Sequence, residues 1–521
     1  MSPGRRYSGG GGAGRGTSES QRVEPPVSKE TLDAAEAEPE PSEAAATLSP
    51  ADAGDAGYSK DLKARHVNMI AIGGAIGTGL FLGAGGRLHS AGPALAIAYL
   101  VCGIFAFFVV RALGELVVYR PSSGSFVSYA REFLGEKGAY VAGWMYFVNW
   151  STTGIADITA IALYTHYWSL FTSVPQWVLA LIALAVVLSI NLISVKYFGE
   201  MEFWFSIVKV AALVAFMLIG IFLLVTQHEV GGTTPGAHVI TENGGFFPHG
   251  LMPVVIVMQG VVFAYASLEL VGVAAGETAE PQKIVPRAVN SIMWRVGLFY
   301  VGSVILLALL LPGSVYSGDE SPFVTVLSKI GVPAAGDVMN LVVLTAAMSS
   351  LNSGLYSTGR ILRSMAMAGS APKFTALMNR SQVPYGGILL TAGVCVLGVG
   401  LNFLVPGQAF EIVLNVASLG IISTWVIVML CHMAFVRRSE EGVVTRPSFQ
   451  LPGSPFTEIV TIVFLLAVLV LMWKDPEVGR KTLYLIPIVA AALVAGWFAI
   501  RGRLGETGAD TPSGSGGGRK P

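Results

Sequence analysis

The sequence predicts an all-α integral membrane protein, and three observations carry that expectation. Hydrophobic residues make up 53% of the 521 and charged residues only 13%, too little polar surface for a water-soluble globule of this size. Twelve apolar runs each approach the ~20 residues that a bilayer crossing requires. Lysine and arginine gather in alternate connections between those runs, the asymmetry that orients membrane helices. Formal net charge is zero, so no global field directs the chain to nucleic acid.

Residues 1–59 are a different material, rich in Gly, Pro, Ala, Ser and Glu with almost no large apolar side chain. Such a segment cannot bury enough surface to fold and is expected to be a disordered cytoplasmic tail. It lacks the apolar stretch of about 7–15 residues that marks a signal peptide. Residues 504–521 are expected to be a second disordered tail. Between them, 60–503 form the membrane domain.

The twelve runs lie at 68–88, 93–118, 139–167, 175–195, 203–226, 249–275, 291–312, 336–359, 384–405, 410–435, 456–473 and 482–500. One set of connections carries clusters such as Lys60, Lys63 and Arg65, or Arg437, Arg438 and Arg446. The opposite set holds little beyond Arg87, Lys329, Lys474, Arg480 and Lys481. Both termini are therefore expected on the cytoplasmic side, which an even number of spans satisfies.

The first span is anomalous. Ile72-Gly73-Gly74-Ala75-Ile76-Gly77-Thr78-Gly79 puts four glycines at its middle, each costing a helix about 1 kcal/mol relative to alanine. The pattern predicts a helix that stops and restarts, baring N–H and C=O groups that hydrocarbon tolerates only beside a cavity or a ligand. Close packing through the small pair Gly73 and Gly77 is the alternative for this span taken alone. The second span carries Glu115 near its cytoplasmic end, read as a structural partner of an arginine such as Arg111 or Arg120. In the third, Tyr146, Asn149, Thr153 and Asp157 share one helical face. Asp157 is too deep and too short to snorkel, so a functional role is expected of it.

The fourth span offers no candidate. The fifth holds Lys209, under two turns from the cytoplasmic end, so snorkelling and a functional role are both open. The sixth reads Gln259-Gly260-Val261-Val262-Phe263-Ala264-Tyr265-Ala266-Ser267-Leu268-Glu269-Leu270-Val271-Gly272, again small and polar at its midpoint with a buried carboxylate. Spans one and six are five apart, the offset expected if spans 1–5 and 6–10 are inverted repeats with matching broken helices. In the eighth, Thr345, Ser349, Asn352 and Tyr356 form a polar stripe, and in the tenth Asn415 and Ser418 stand out. Serine can bond the preceding turn, but an asparagine points to a wet cavity or an interhelical bond. Spans seven, nine, eleven and twelve are read from length and apolarity alone. Cys102, Cys395 and Cys431 sit in apolar runs as packing residues. No metal-ligand spacing, nucleophile–base pairing or cofactor motif is present, so neither a metal, a cofactor nor an enzyme is expected.

A broken helix offers free N–H groups to an anion and free carbonyls to a cation. An α-amino acid carries both poles in fixed relation, although an inorganic ion pair or another small zwitterion satisfies the same physics.

Residues 62–503 also resemble the bacterial amino-acid transporter family of the amino acid–polyamine–organocation superfamily. The likeness rests on Asn68-Met69-Ile70-Ala71 running through the glycine stretch to Leu80-Phe81; on Arg111-Ala112-Leu113-Gly114-Glu115-Leu116 with Arg120-Pro121-Ser122-Ser123-Gly124-Ser125-Phe126; on Gly199-Glu200-Met201-Glu202-Phe203-Trp204-Phe205; and on Leu351-Asn352-Ser353-Gly354-Leu355-Tyr356. Gly143-Trp144-Met145-Tyr146-Phe147-Val148-Asn149-Trp150 and Gly154-Ile155-Ala156-Asp157-Ile158-Thr159-Ala160 are most similar to the branch that carries L-asparagine. Relatives for 4-aminobutyrate, or for D-serine, alanine and glycine, share most other motifs. The long N-terminal tail departs from the family pattern.

The resemblance implies a 5+5 inverted-repeat core with discontinuous helices 1 and 6, plus two peripheral helices. It implies a permease in the cell membrane that imports L-asparagine by proton symport, with a non-transporting sensor as the reading from another class. Amides around Ala75, Ile76, Gly77, Thr78 and Gly79 would hold the substrate carboxylate. Carbonyls near Val262, Phe263 and Tyr265 would hold the ammonium, with Phe263 as an aromatic gate. Asn149, Asp157, Asn352, Asn415 and Ser418 could read the side-chain amide. Lys209 matches a lysine that occupies a sodium-like position, and Asp157, Lys209 and Glu269 are the candidate coupling and gating groups.

Overall fold

The computed structural model describes residues 65, 66, 69, 76–122, 124–275, 280–405, 409–475 and 479–506. Residues 1–59, most of 504–521, Gly73, Gly74 and Ala75 lie outside the described residues. Among the described residues all regular structure is helical, apart from one isolated bridge between Val230 and Thr233.

Among the described residues eight helices are long and apolar enough to cross a membrane: Gly83–Tyr119, Val195–Thr226, Pro281–Leu310, Ala335–Met367, Tyr385–Leu404, Val413–Glu440, Phe456–Lys474 and Gly479–Gly502. Gln176–Asn191 and Leu251–Ala264 are shorter apolar helices at the expected fourth and sixth positions. The helix of the third run is longer than its apolar stretch, spanning Ser125–His166 with one interruption at Gly135, whose φ of 81° only glycine adopts cheaply. The seventh contains a wide turn over Val296–Gly302. The last helix continues to Glu506, past the expected boundary at 503.

The polar stripes turn inward. The helix of the third run packs along those of the eighth and tenth. Close approach is set by small residues: a Cβ on Gly420 would lie 2.6 Å from Asn149 Cβ. Of the most apolar stretch of each helix, 72% is buried in Val413–Glu440 and 67% in Ala335–Met367, but none in Gly479–Gly502. The eighth and tenth helices are therefore central and the last is peripheral.

Glu115 is the structural carboxylate that was expected, paired with a loop arginine, but the arginine is Arg446 rather than Arg111 or Arg120. Arg111 donates instead to the Gln450 carbonyl and to Asn290, and Arg120 pairs with Glu132 at 2.8 Å. Glu115 is fully buried and accepts from Arg446 Nε at 2.7 Å, from the Leu451 amide at 2.6 Å, and lies 2.9 Å from His432 Nε2. The other ring nitrogen of His432 is 2.8 Å from Glu458. The imidazole thus sits between two buried carboxylates and stitches the second, tenth and eleventh helices together. The partners were illegible because they lie more than 300 residues away. Removing the ring leaves buried charge uncompensated, a change that typically costs about 3–5 kcal/mol. His432→Ala is expected to lower the thermal midpoint of the detergent-solubilised protein by several degrees while leaving the order of substrate preference unchanged.

Candidate functional site

In the first anomalous span the described residues enter helix only at Thr78, and in the sixth the helix is interrupted among its small residues. Gly77 is extended (φ −128°, ψ −164°), and the helix starts at Thr78, with Leu80 and Phe81 amides donating to the Gly77 carbonyl at 3.2 Å. In the sixth run the helix Leu251–Ala264 ends, Tyr265–Glu269 form turns, and a helix restarts over Leu270–Ala275. Ser267 takes φ +81°, a left-handed conformation that costs about 1–3 kcal/mol for a residue with a Cβ.

The breaks touch each other. A Cβ built on Gly79 would fall 2.5 Å from Ala264 Cα, so only glycine fits. Gly77, Thr78 and Gly79 line one small cavity with Thr153, Phe263, Ala264, Ala266, Ser267 and Ser350. Its volume is about 10 Å³, room for about one water, so a ligand of amino-acid size requires these walls to part.

Side chains hold the carbonyls of the cavity-lining Gly79 and Ala264, and a third bond ties Tyr265 to the second helix. Arg87 Nη1 donates to Gly79 O at 3.1 Å, Tyr300 OH donates to Ala264 O at 3.1 Å, and Tyr265 OH donates to Tyr99 O at 2.7 Å. The rings of Tyr99, Tyr265 and Tyr300 pack together behind the loop. Val262 and Phe263 carbonyls accept from the Tyr265 and Ala266 amides at 3.1 and 3.0 Å, leaving each a second lone pair.

Asp157 and the first span are joined directly: Thr78 Oγ1 donates to Asp157 Oδ1 at 2.9 Å, and Ser350 stands beside the same carboxylate. Asn149 lies one turn from Thr153, whose hydroxyl is 3.4 Å from Asn149 Oδ1. Glu269, buried just after the break, has Trp150 and Trp425 beside it.

Lys209 does not snorkel. It is 1% exposed, donates to Ser349 Oγ at 2.9 Å and lies 3.9 Å from Glu202. Ser349 in turn donates to Glu202. Glu202 and Lys209 are seven residues apart, two turns on one helix face, a spacing by which the sequence itself signals the pairing.

Other predicted residues point elsewhere. Asn352 Oδ1 accepts from Asn191 Nδ2 at 2.9 Å, the interhelical bond that was the alternative to a wet cavity. Ser418 donates to Leu414 O at 2.9 Å, with Gln259 O at 3.4 Å, the local bond expected of a helical serine. Asn415 is buried but is not among the cavity's lining residues. Tyr265 turns its side chain into the tyrosine cluster. Arg87, expected in an outer connection, is buried inside the helix Gly83–Ala91.

Eight membrane-length helices among the described residues, packed around buried polar side chains, define the class as a multi-pass membrane protein. The amino acid permease family matches residues 66–504, and the chain belongs to that family. It is 80% identical over 488 residues to the L-asparagine permease of Streptomyces coelicolor, covering 94% of this chain and 99% of that protein. It is 62% identical over 455 residues to the L-asparagine permease of Salmonella typhimurium (87% and 92% covered), and 58% identical over 450 residues to L-asparagine permease 1 of Mycobacterium tuberculosis (86% and 92%).

Proposed function

We propose that this permease imports L-asparagine across the cytoplasmic membrane by proton symport with alternating access. The observation that carries the site is the contact of the two broken helices at Gly79 and Ala264, with Thr78 tied to Asp157. The relatives' shared name, at up to 80% identity, supports asparagine as the substrate. We read twelve spans in all, the eight long helices being joined by Ser125–His166, Gln176–Asn191, the interrupted sixth helix and the first run. We read spans 1–5 and 6–10 as inverted repeats with both termini cytoplasmic.

Amides around Ala75–Gly79 hold the carboxylate, and the Val262, Phe263 and Tyr265 carbonyls hold the ammonium. Phe263, on the cavity wall, gates the site. Asp157 and Asn149 read the side-chain amide from the third helix, where an unmet hydrogen bond penalises substrates lacking it. Lys209 takes the place of a coupled sodium, and Asp157 and Glu269 are the groups placed to exchange a proton.

The test is accumulation of labelled asparagine in proteoliposomes under an imposed pH gradient, with unlabelled glutamine, aspartate, D-serine and 4-aminobutyrate as competitors. Asparagine is expected to compete best, and replacing sodium by choline to change nothing. Asp157→Ala is expected to reduce accumulation at least about 100-fold, the scale of losing a buried charged partner. Better competition by 4-aminobutyrate, sodium-driven uptake, or full activity of Asp157→Ala each removes the corresponding assignment.

A further inference from the structure

Arg87 is a buried arginine in contact with the start of the helix at Thr78. Its residue is 8% exposed, within the helix Gly83–Ala91. The guanidinium rests in a cradle made by two glycines. A Cβ on Gly83 would lie 2.4 Å from Nη1, and one on Gly260 would lie 2.5 Å from both Nε and Nη2. From that cradle Nη1 donates to the carbonyl of Gly79, and the Tyr99 hydroxyl approaches the same oxygen at 3.4 Å. Gly79 also lines the cavity, so the charge stands directly behind the cavity wall.

This charge has no carboxylate beside it. Arg120, Arg131, Arg437 and Arg446 each lie within 4.0 Å of a glutamate oxygen, whereas among the described residues Arg87 has none. A buried guanidinium answered only by neutral oxygens is expensive to keep, and here two helices forgo side chains to house it. The buried acid nearest the cavity-lining residues, Asp157, is engaged by Thr78. The molecule expected in this cavity brings its own carboxylate to the start of this helix at Gly77–Gly79, whose Gly79 carbonyl Arg87 holds.

We infer that Arg87 is the fixed counter-charge of the substrate carboxylate: a positioning residue that pins Gly79 and makes the site select for a free carboxylate. The inference rests on the amino-acid site proposed above. It extends that site to a residue that touches the loop rather than the substrate. At an effective permittivity of about 20, a unit charge held behind one peptide group corresponds to at least about a tenfold change in affinity.

The test compares inhibition of uptake by asparagine and by asparaginol, which keeps the amine and the amide but lacks the carboxylate. Wild-type protein is expected to prefer asparagine strongly. Arg87→Gln is expected to weaken asparagine about tenfold and leave asparaginol unchanged, so the ratio collapses by that factor. Arg87→Lys, which keeps the charge, restores most of the ratio, while Gly260→Ala, which keeps the arginine but displaces it, lowers it. Thermal midpoint and monodispersity of each variant separate folding from recognition. An unchanged ratio in Arg87→Gln, or a ratio not restored by Arg87→Lys, overturns the inference and leaves Arg87 as a structural tie. Alanine against alaninol, inhibiting uptake of labelled alanine, gives the same ratio independently of the side chain. If asparagine fails to bind while alanine binds, the asparagine assignment fails and the carboxylate question is still answered.

Discussion

Gly79→Ala is expected to reduce asparagine uptake at least about 100-fold. The added Cβ would stand 2.5 Å from Ala264 Cα and 3.0 Å from its Cβ and N, atoms that cannot rotate aside. The two breaks must therefore separate. Overpacking of this kind costs about 1–3 kcal/mol in stability. The larger effect falls on function, because a displacement of about 1 Å at a binding constellation costs about 100-fold. Gly393→Ala is the control: it lies on an exposed face of the helix Tyr385–Leu404 with nothing within 4 Å of the new Cβ. It should leave uptake intact and stabilise the helix by up to about 1 kcal/mol. Initial rates in proteoliposomes at matched protein density decide the matter. Near-wild-type uptake by Gly79→Ala would mean that the breaks do not meet at any obligatory stage of transport.

The features of this fold that depend on local chemistry were legible in the sequence. Gly77 stands where the helix begins, the small residues at 264–267 stand where the sixth is interrupted, and Gly79 allows the two to meet. Asp157 announced itself by depth, and the structure puts it in reach of Thr78 across 79 residues. Partner choice was less legible. The asparagines at 149 and 352 look alike in sequence, yet Asn352 is spent on Asn191 and Asn149 lies next to a cavity-lining threonine. Which way such a side chain turns depends on what the neighbouring helix presents, and a single sequence does not encode interhelical register in readable form. The choice of arginine for Glu115 failed for the same reason, since its partners come from the tenth and eleventh helices and the loop between them. Arg87 failed for another: counted as a loop cation, it is buried because two glycines on different helices vacate the space for it.

Lys209→Met is expected to abolish gradient-driven accumulation and to destabilise the protein, and the two effects can be separated. With the ammonium gone, Glu202 is a fully buried carboxylate left with Ser349 as its neighbour. Breaking a buried pair from one side costs about 3–5 kcal/mol, because the surviving charge is uncompensated. Replacing both members costs far less, since neither charge remains to be solvated. Lys209→Met combined with Glu202→Gln should therefore recover most of the lost thermal midpoint. If the lysine serves only to neutralise Glu202, the double variant recovers accumulation as well. If it serves as the fixed cation of the proposed mechanism, accumulation stays at least about 100-fold down while the protein is folded and still binds asparagine. The position bridges the fifth and eighth helices through Ser349, one residue before the cavity-lining Ser350, so its charge is felt where the wall must move. A neutral side chain there removes the repulsion that keeps a monovalent cation out. Stimulation of the double variant by sodium, absent from the wild type, is the outcome that ties the lysine to ion selectivity rather than to packing.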